Sequence, residues 1–329
     1  MKNFFEDINV HYKPAEKNYW TGRQSNSELN PQYWHELIEL VNLNEKETNT
    51  NIGIIGYSCD EGVKRNQGRI GAKEAPNFIR QHLAKLPIHF DSNHITDFGN
   101  LICINNDMEA CQKALSKTVS HLISNNTFTM VLGGGHDIAY GHFMGIKEAL
   151  KNKQKNKIGI INFDAHFDLR PIDESPNSGT PFNQIISESK TTNQPVGYFV
   201  IGIQQQSNTK ELFSIAKEND VDYVSNFKCT ISKKHIKILK KQLQSFIEQN
   251  DYLYISIDMD GFSSAYAPGV SAPSTLGFSP HFFFLILEFI LKSNKVISCD
   301  IAEINPTLDI DNQTSKLASK IVDFIVCRI

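Results

Sequence analysis

Six side chains stand out by type and spacing. Residues 161–170 read INFDAHFDLR, where Asp164, His166 and Asp168 take every second position after an apolar run. In an extended chain such positions share one face, so two carboxylates and an imidazole would converge. Anions and a neutral ring packed together repel and lose hydration, a cost that a cation among them removes. Two more stretches carry groups of the same kind: GGGHD (133–137), with His136, and SIDMD (256–260), with Asp258 and Asp260. Alone, His136 reads as a turn residue and the two aspartates as strand-end caps. Six such groups after three apolar runs read as a metal site. Four carboxylates balance two divalent cations, and a donor set rich in hard oxygen without thiolate favours Mn2+ over structural zinc. Two such ions can share and acidify a water, which points to hydrolysis.

The groups need a scaffold that brings three distant stretches to one edge. Short apolar runs at 51–58, 128–134, 157–164, 197–203, 252–260 and 295–304 alternate with amphipathic segments of helical period at 75–86, 109–123, 139–150, 209–218, 235–249 and 280–292. Near-continuous apolar strands joined by helices predict a mostly parallel sheet covered on both faces, a single three-layer αβα domain. Ligands of such sheets bind at the carboxyl ends of the strands. The polar groups follow the strands there, and EINP (303–306) adds Glu303. Residues 1–50 are polar and aromatic, with one weak helical pattern at 31–43, and read as an N-terminal extension packing on a catalytic domain of residues 51–329.

Composition narrows the partners. With 33 basic and 36 acidic residues the net charge is −3, which offers no footprint for nucleic acid or an anionic membrane. The most apolar stretch, FFFLILEFIL (282–291), is too short to span a bilayer and reads as a core helix. Six scattered cysteines without a CxxC pair argue against a disulfide framework or zinc knuckle. With no secretory signal pattern at the start, the expectation is a cytoplasmic protein with a small-molecule substrate.

GGGHD, DAHFD and SIDMD, in this order and spacing, resemble the ureohydrolase family of arginase, agmatinase and formimidoylglutamase over roughly residues 50–329. The resemblance implies an arginase-like fold, a symmetric homo-oligomer and two Mn2+ per subunit. By position, His136, Asp164, Asp168 and Asp258 would hold one ion, and Asp164, His166, Asp258 and Asp260 the other. Glu303 matches the family carboxylate that contacts a cationic amidine or guanidine.

Departures from the arginase and agmatinase patterns point within the family. Arg170 stands where those enzymes carry Asn, and Phe182, in SGTPF, stands where a proton-shuttling His would fall. The Asp-Pro that follows their last metal ligand becomes Ser263 and Ser264, followed by APGVSAPS (267–274). Each departure is similar to formimidoylglutamase, as are CDEGVKRNQGRIGA (59–72) and GIQQQSNTKELFSIA (202–216). Arg65, Asn66, Arg69 and Arg170 could then bind a dicarboxylate, since guanidinium forks match carboxylates. The reaction so implied is hydrolysis of N-formimidoyl-L-glutamate to L-glutamate and formamide, a step of histidine degradation. Asp168 would relay a proton to the leaving amine, and Glu303 would hold the amidinium. The alternatives are another ureohydrolase, acting on agmatine or a guanidino acid, and a metal-binding pseudoenzyme.

Overall fold

The structure, a computed structural model, describes residues 3–25, 31–45, 50–90, 94–192 and 194–329. In chain order the strands among them are β1 (Val10–Lys13), β2 (Glu39–Leu40), β3 (Ile52–Ser58), β4 (Ile95–Cys103), β5 (Phe128–Leu132), β6 (Ile158–Phe163), β7 (Val196–Ile203), β8 (Asp222–Ser225), β9 (Tyr252–Asp258) and β10 (Val296–Ala302). They form one sheet of order β1-β4-β3-β5-β10-β9-β6-β7-β8, with β2 beside β4. Every pairing is parallel except β1 with β4. The six apolar runs are all strands, because both faces of this sheet are covered.

Alternate residues of the strands feed two cores. Ile54, Leu132, Phe163, Ile257 and Ile301 point into one, under the helices Ala75–Leu83, Lys233–Glu248, Pro280–Leu291 and Gln313–Val326. Ile55, Val131, Ile160, Tyr254 and Ala302 point into the other, under Met108–Ser124, Ile138–Leu150, Pro181–Thr191 and Lys210–Glu218. The result is the three-layer αβα arrangement. The stretch 282–291 lies in a core helix, with Phe282, Phe283, Ile286 and Leu287 fully buried. Among the described residues no helix is long and apolar enough to cross a membrane.

Strand β4 was not legible as a strand because Asp97 and Asn100 interrupt its apolar pattern. Both are buried against Arg80, which donates to Asp97 Oδ1 at 2.7 Å and Oδ2 at 2.8 Å and to Asn100 Oδ1 at 2.6 Å. Paired in this way the charges are tolerated inside. Trp20 Nε1 donates to Asp97 at 2.7 Å, which ties the N-terminal residues to the same group. The weak helical pattern at 31–43 yields a single turn, Trp34–Leu37, and then β2. Trp34 is fully buried and donates to Asp323 on the last helix. Residues 46–49, beside the boundary expected at residue 50, lie outside the described residues.

Candidate metal centre

Five neighbouring parallel strands, β3, β5, β10, β9 and β6, end at one edge. The segments that leave them carry Asn66 and Arg69, His136, Glu303, Asp258 and Asp260, and Asp164, His166 and Asp168, in that spatial order. The sheet therefore collects side chains that lie far apart in sequence.

Local turns then aim them. Asp164 Oδ1 accepts the backbone N–H of His166 at 2.6 Å, and Asp258 Oδ1 accepts that of Asp260 at 2.8 Å. An aspartate bonding the backbone two residues on is a self-made turn, and it frees the second oxygen to face the centre. The spacing Asp-x-His or Asp-x-Asp is what such a turn requires. The extended-strand reason for convergence does not hold for the whole of 164–168. Strand β6 ends at Phe163, and Asp168 sits at φ +47°, so a bend brings its carboxylate inward. Glu303, at φ +65°, turns in the same way after β10. Left-handed backbone at a non-glycine residue costs about 1–3 kcal/mol and concentrates at functional sites. The loop that carries His136 passes so close to the end of β3 that a Cβ on Gly134 would lie 1.8 Å from the Cys59 carbonyl oxygen.

The result is two adjoining groups of donors. His136 Nδ1 lies 3.3 Å from Asp164 Oδ2, 2.8 Å from Asp168 Oδ2 and 3.0 Å from Asp258 Oδ2. Asp164, His166 and Asp260 form the second group, with His166 Nδ1 3.2 Å from Asp260 Oδ2. Asp164 belongs to both groups, whereas Asp258 belongs to the first. Despite the short distances, His136 Nδ1 has no aligned hydrogen-bond partner among the described residues. Atoms that crowd without bonding one another are aimed at a common point, and this donor set fits a divalent cation there.

The proton affinities describe the same unbalanced charge. Burial pushes the Asp258 carboxyl well above its usual range, and Asp260 and Asp164 push it further. Burial opposes a charged His136, yet Asp164, Asp168 and Asp258 outweigh it and hold the ring well above the ordinary histidine value. His166 is raised in the same way by Asp260 and Asp164 against its burial. Glu303 is raised to about 8, chiefly by burial.

A cavity of about 300 Å³ opens over the two groups. Asn66, Arg69, Arg170, Ser178, Asn208 and Glu303 line it together with His136, His166, Asp168, Asp258 and Asp260, while Asp164 lies buried beneath. Arg69 donates Nε to the Ser271 carbonyl and Nη2 to that of Val270, both at 2.9 Å. Arg170 Nη1 donates to Asn66 Oδ1 at 2.6 Å. Arg65 does not join them. Its guanidinium forks onto Glu109 at 2.6 and 3.1 Å and meets Glu61 at 3.2 Å, outside the cavity. Phe182 is fully buried, stacked on Tyr198 and edge-on to His136 at 5.3 Å, so it braces that ring.

Sequence reading passed over Asn208, which clamps the DAHFD turn by accepting from Phe167 N and donating to the Ala165 carbonyl. The run GIQQQSNTKELFSIA contained it, but nothing local marks which of its polar residues turns inward.

A model of the arginase family matches residues 50–327. A formimidoylglutamase from Clostridium tetani is 39% identical over 328 residues, spanning 97% of this chain and 96% of its own. One from Lysinibacillus sphaericus is 41% identical over 315 residues, spanning 94% and 96%. Among solved structures, Trypanosoma cruzi formiminoglutamase with Mn2+ superposes with a TM-score of 0.75 at 25% identity over 86% of this chain and 94% of that one. The Bacillus subtilis formimidoylglutamase, at 23% identity, shares the fold with a TM-score of 0.77 over 92% and 94%.

Proposed function

The chain belongs to the arginase family, and from that premise we propose that it hydrolyses N-formimidoyl-L-glutamate to L-glutamate and formamide with two Mn2+ per chain. The observation that carries the reading is the meeting of His136 Nδ1 with three carboxylate oxygens on the floor of a cavity whose rim bears Arg69 and Arg170. Names carried by the relatives and the Mn2+ in a fold neighbour support the choice of substrate and ion.

His136, Asp164, Asp168 and Asp258 would hold one ion, and Asp164, His166 and Asp260 the other. Asp258 also borders the second through the turn it shares with Asp260. When bound, the ions offset the four aspartates and acidify water in the cavity.

The remaining work falls to the chain. Glu303 commits Oε1 to the His136 backbone and leaves Oε2 to accept from the substrate amidinium, which also returns the buried carboxyl to its charged form. Arg69, Arg170 and Asn66 take the two substrate carboxylates. Among the described residues, Arg69 Nη1 and Arg170 Nη2 have no other acceptor, so they are available for this. Arg65 holds the turn that presents Asn66 rather than touching substrate. As water adds to the formimino carbon, Asp168 takes its proton and passes it to the departing α-amine. Phe182 cannot carry a proton, and its ring packs edge-on against His136. The reaction belongs to histidine degradation. A cytoplasmic site of action agrees with six free thiols, and a symmetric homo-oligomer follows the family.

The test is a substrate panel with product identification. Formamide and glutamate should appear from N-formimidoyl-L-glutamate, with arginine and agmatine nearly inert. Preferential urea release from agmatine or arginine would assign the chain to another ureohydrolase activity.

A further inference from the structure

His136 is held from behind by a line of buried side chains that runs through a second histidine. Its Nε2 lies 2.9 Å from Ser256 Oγ, and Ser256 Oγ donates at 2.7 Å to Asp300 Oδ1. Asp300 Oδ2 accepts from the Tyr254 hydroxyl and meets His142 Nδ1 at 2.7 Å. His142 Nε2 in turn lies 2.5 Å from Ser298 Oγ, whose proton goes to the Thr129 carbonyl at 2.8 Å. Ser256, Asp300, His142 and Ser298 are fully buried. Sheet register assembles the line: Asp300 on β10 pairs with Ser256 on β9, and Ser298 pairs with Thr129 on β5.

Counting protons gives the line a direction. A carboxylate only accepts, so Ser256 commits its single hydroxyl proton to Asp300. Ser256 Oγ can then only accept from His136, which fixes the proton of the neutral imidazole on Nε2. The lone pair is left on Nδ1, the atom that faces Asp164, Asp168 and Asp258. The opposite tautomer would point an N–H at the place of the cation. The carboxylate that sets this choice is itself pinned by Tyr254 and His142.

We infer that Asp300 is a positioning residue that, acting through Ser256, fixes the tautomer of His136 and so tunes the affinity of the cation site His136 shares with Asp164, Asp168 and Asp258. The inference rests on His136 being a metal ligand. Partners that orient ligating histidines change metal affinity by roughly 10–100-fold when removed. Glutamate or aspartate behind a histidine is the direct form of such an arrangement; here a serine intervenes and transmits the orientation.

The test is Mn2+ titration of metal-stripped protein, with free Mn2+ read by electron paramagnetic resonance. Ser256→Ala removes the link, and Asp300→Asn reverses it if the amide oxygen keeps Tyr254 and His142 while its N–H turns to Ser256. Wild type should bind two ions. Each variant should bind the first ion roughly 10–100-fold more weakly and keep the second. Thr118→Ala deletes an equally buried hydroxyl that bonds only within its helix, so it should lower the melting temperature and leave both ions in place. Ser256→Ala differs from wild type by one oxygen and decides the matter if Asp300→Asn fails to fold. Wild-type affinity in Ser256→Ala, or loss of both ions in proportion to a fall in melting temperature, would overturn the inference. Absence of Mn2+ binding by the wild type would instead remove the metal reading itself, and the inference with it.

Discussion

The backbone N–H of His136 donates to Glu303 Oε1 at 2.8 Å, while the backbone N–H of Glu303 donates to the Gly134 carbonyl at 2.9 Å. The loop after β5 and the turn after β10 thus hold each other. The residue proposed to grip the substrate also fixes the loop of a proposed metal ligand.

Glu303→Gln and Glu303→Ala should separate these two tasks. The amide oxygen of glutamine can still accept from His136 N, so metal content should stay while kcat/KM falls. A lost charge-assisted hydrogen bond of about 1.5–3 kcal/mol corresponds to roughly 10- to 100-fold. Glu303→Ala removes both tasks and should lower metal content as well. Metal analysis beside steady-state kinetics reads the split, and equal metal loss in both variants would contradict it.

Asp164 is the residue common to the two donor groups. Asp164→Ala should therefore lose both ions and all activity, whereas His136→Ala should keep the ion of Asp164, His166 and Asp260. Metal content by plasma emission separates the cases: two ions retained in Asp164→Ala would refute a shared ligand.

Metal and protons should compete, with a definite sign. His136 and His166 have raised proton affinity in the metal-free site, a stabilisation fully present below about pH 6.5 and lost as pH rises through their folded values. Glu303, raised to about 8 from an ordinary 4.5, destabilises the metal-free fold progressively between those two values. Asp164 is shifted downward and acts in the opposite sense, but only as the solution becomes strongly acidic. The metal-free protein should thus melt lower as pH rises from 6 to 8, and Mn2+ should bind more tightly and raise the melting temperature more. Thermal melts with and without Mn2+ across that range measure both, and a stabilisation by Mn2+ that shrinks with rising pH would run against the electrostatics.

How far the chain could be read without its structure depended on the range of the interactions. The six buried strands and six metal-competent side chains were legible because apolar runs and hard ligands are local signals. Strand β4 was not, since Asp97 becomes tolerable only through Arg80, which sits on a separate helix. The helices Pro181–Thr191 and Gln313–Val326 also went unmarked, although Thr180 before Pro181 and the spacing of Ala318, Ile321, Val322 and Ile325 are ordinary helix signals. Arg65 and Arg69 are the same type in the same segment after β3, and their roles part because Arg65 ends the helix Glu61–Arg65 and Glu109, 44 positions on, takes it. Ser256 and Asp300 meet only through sheet register, which no local pattern reveals.

Those placements separate the arginines by experiment. Arg69→Ala or Arg170→Ala should raise KM for N-formimidoyl-L-glutamate about tenfold or more, since each charge-assisted bond contributes about 1.5–3 kcal/mol. Metal content should not change. Arg65→Ala should affect KM less, because its partners are Glu61 and Glu109. Unchanged KM in both Arg69→Ala and Arg170→Ala would remove the dicarboxylate reading and leave the family membership intact.

The two-ion hydrolysis itself is tested most directly by rebuilding chelator-stripped protein with measured Mn2+ while following glutamate release from N-formimidoyl-L-glutamate. Activity should be absent without metal and reach its plateau at two ions per chain. Full activity in the stripped protein, or a plateau at a single ion, would contradict it.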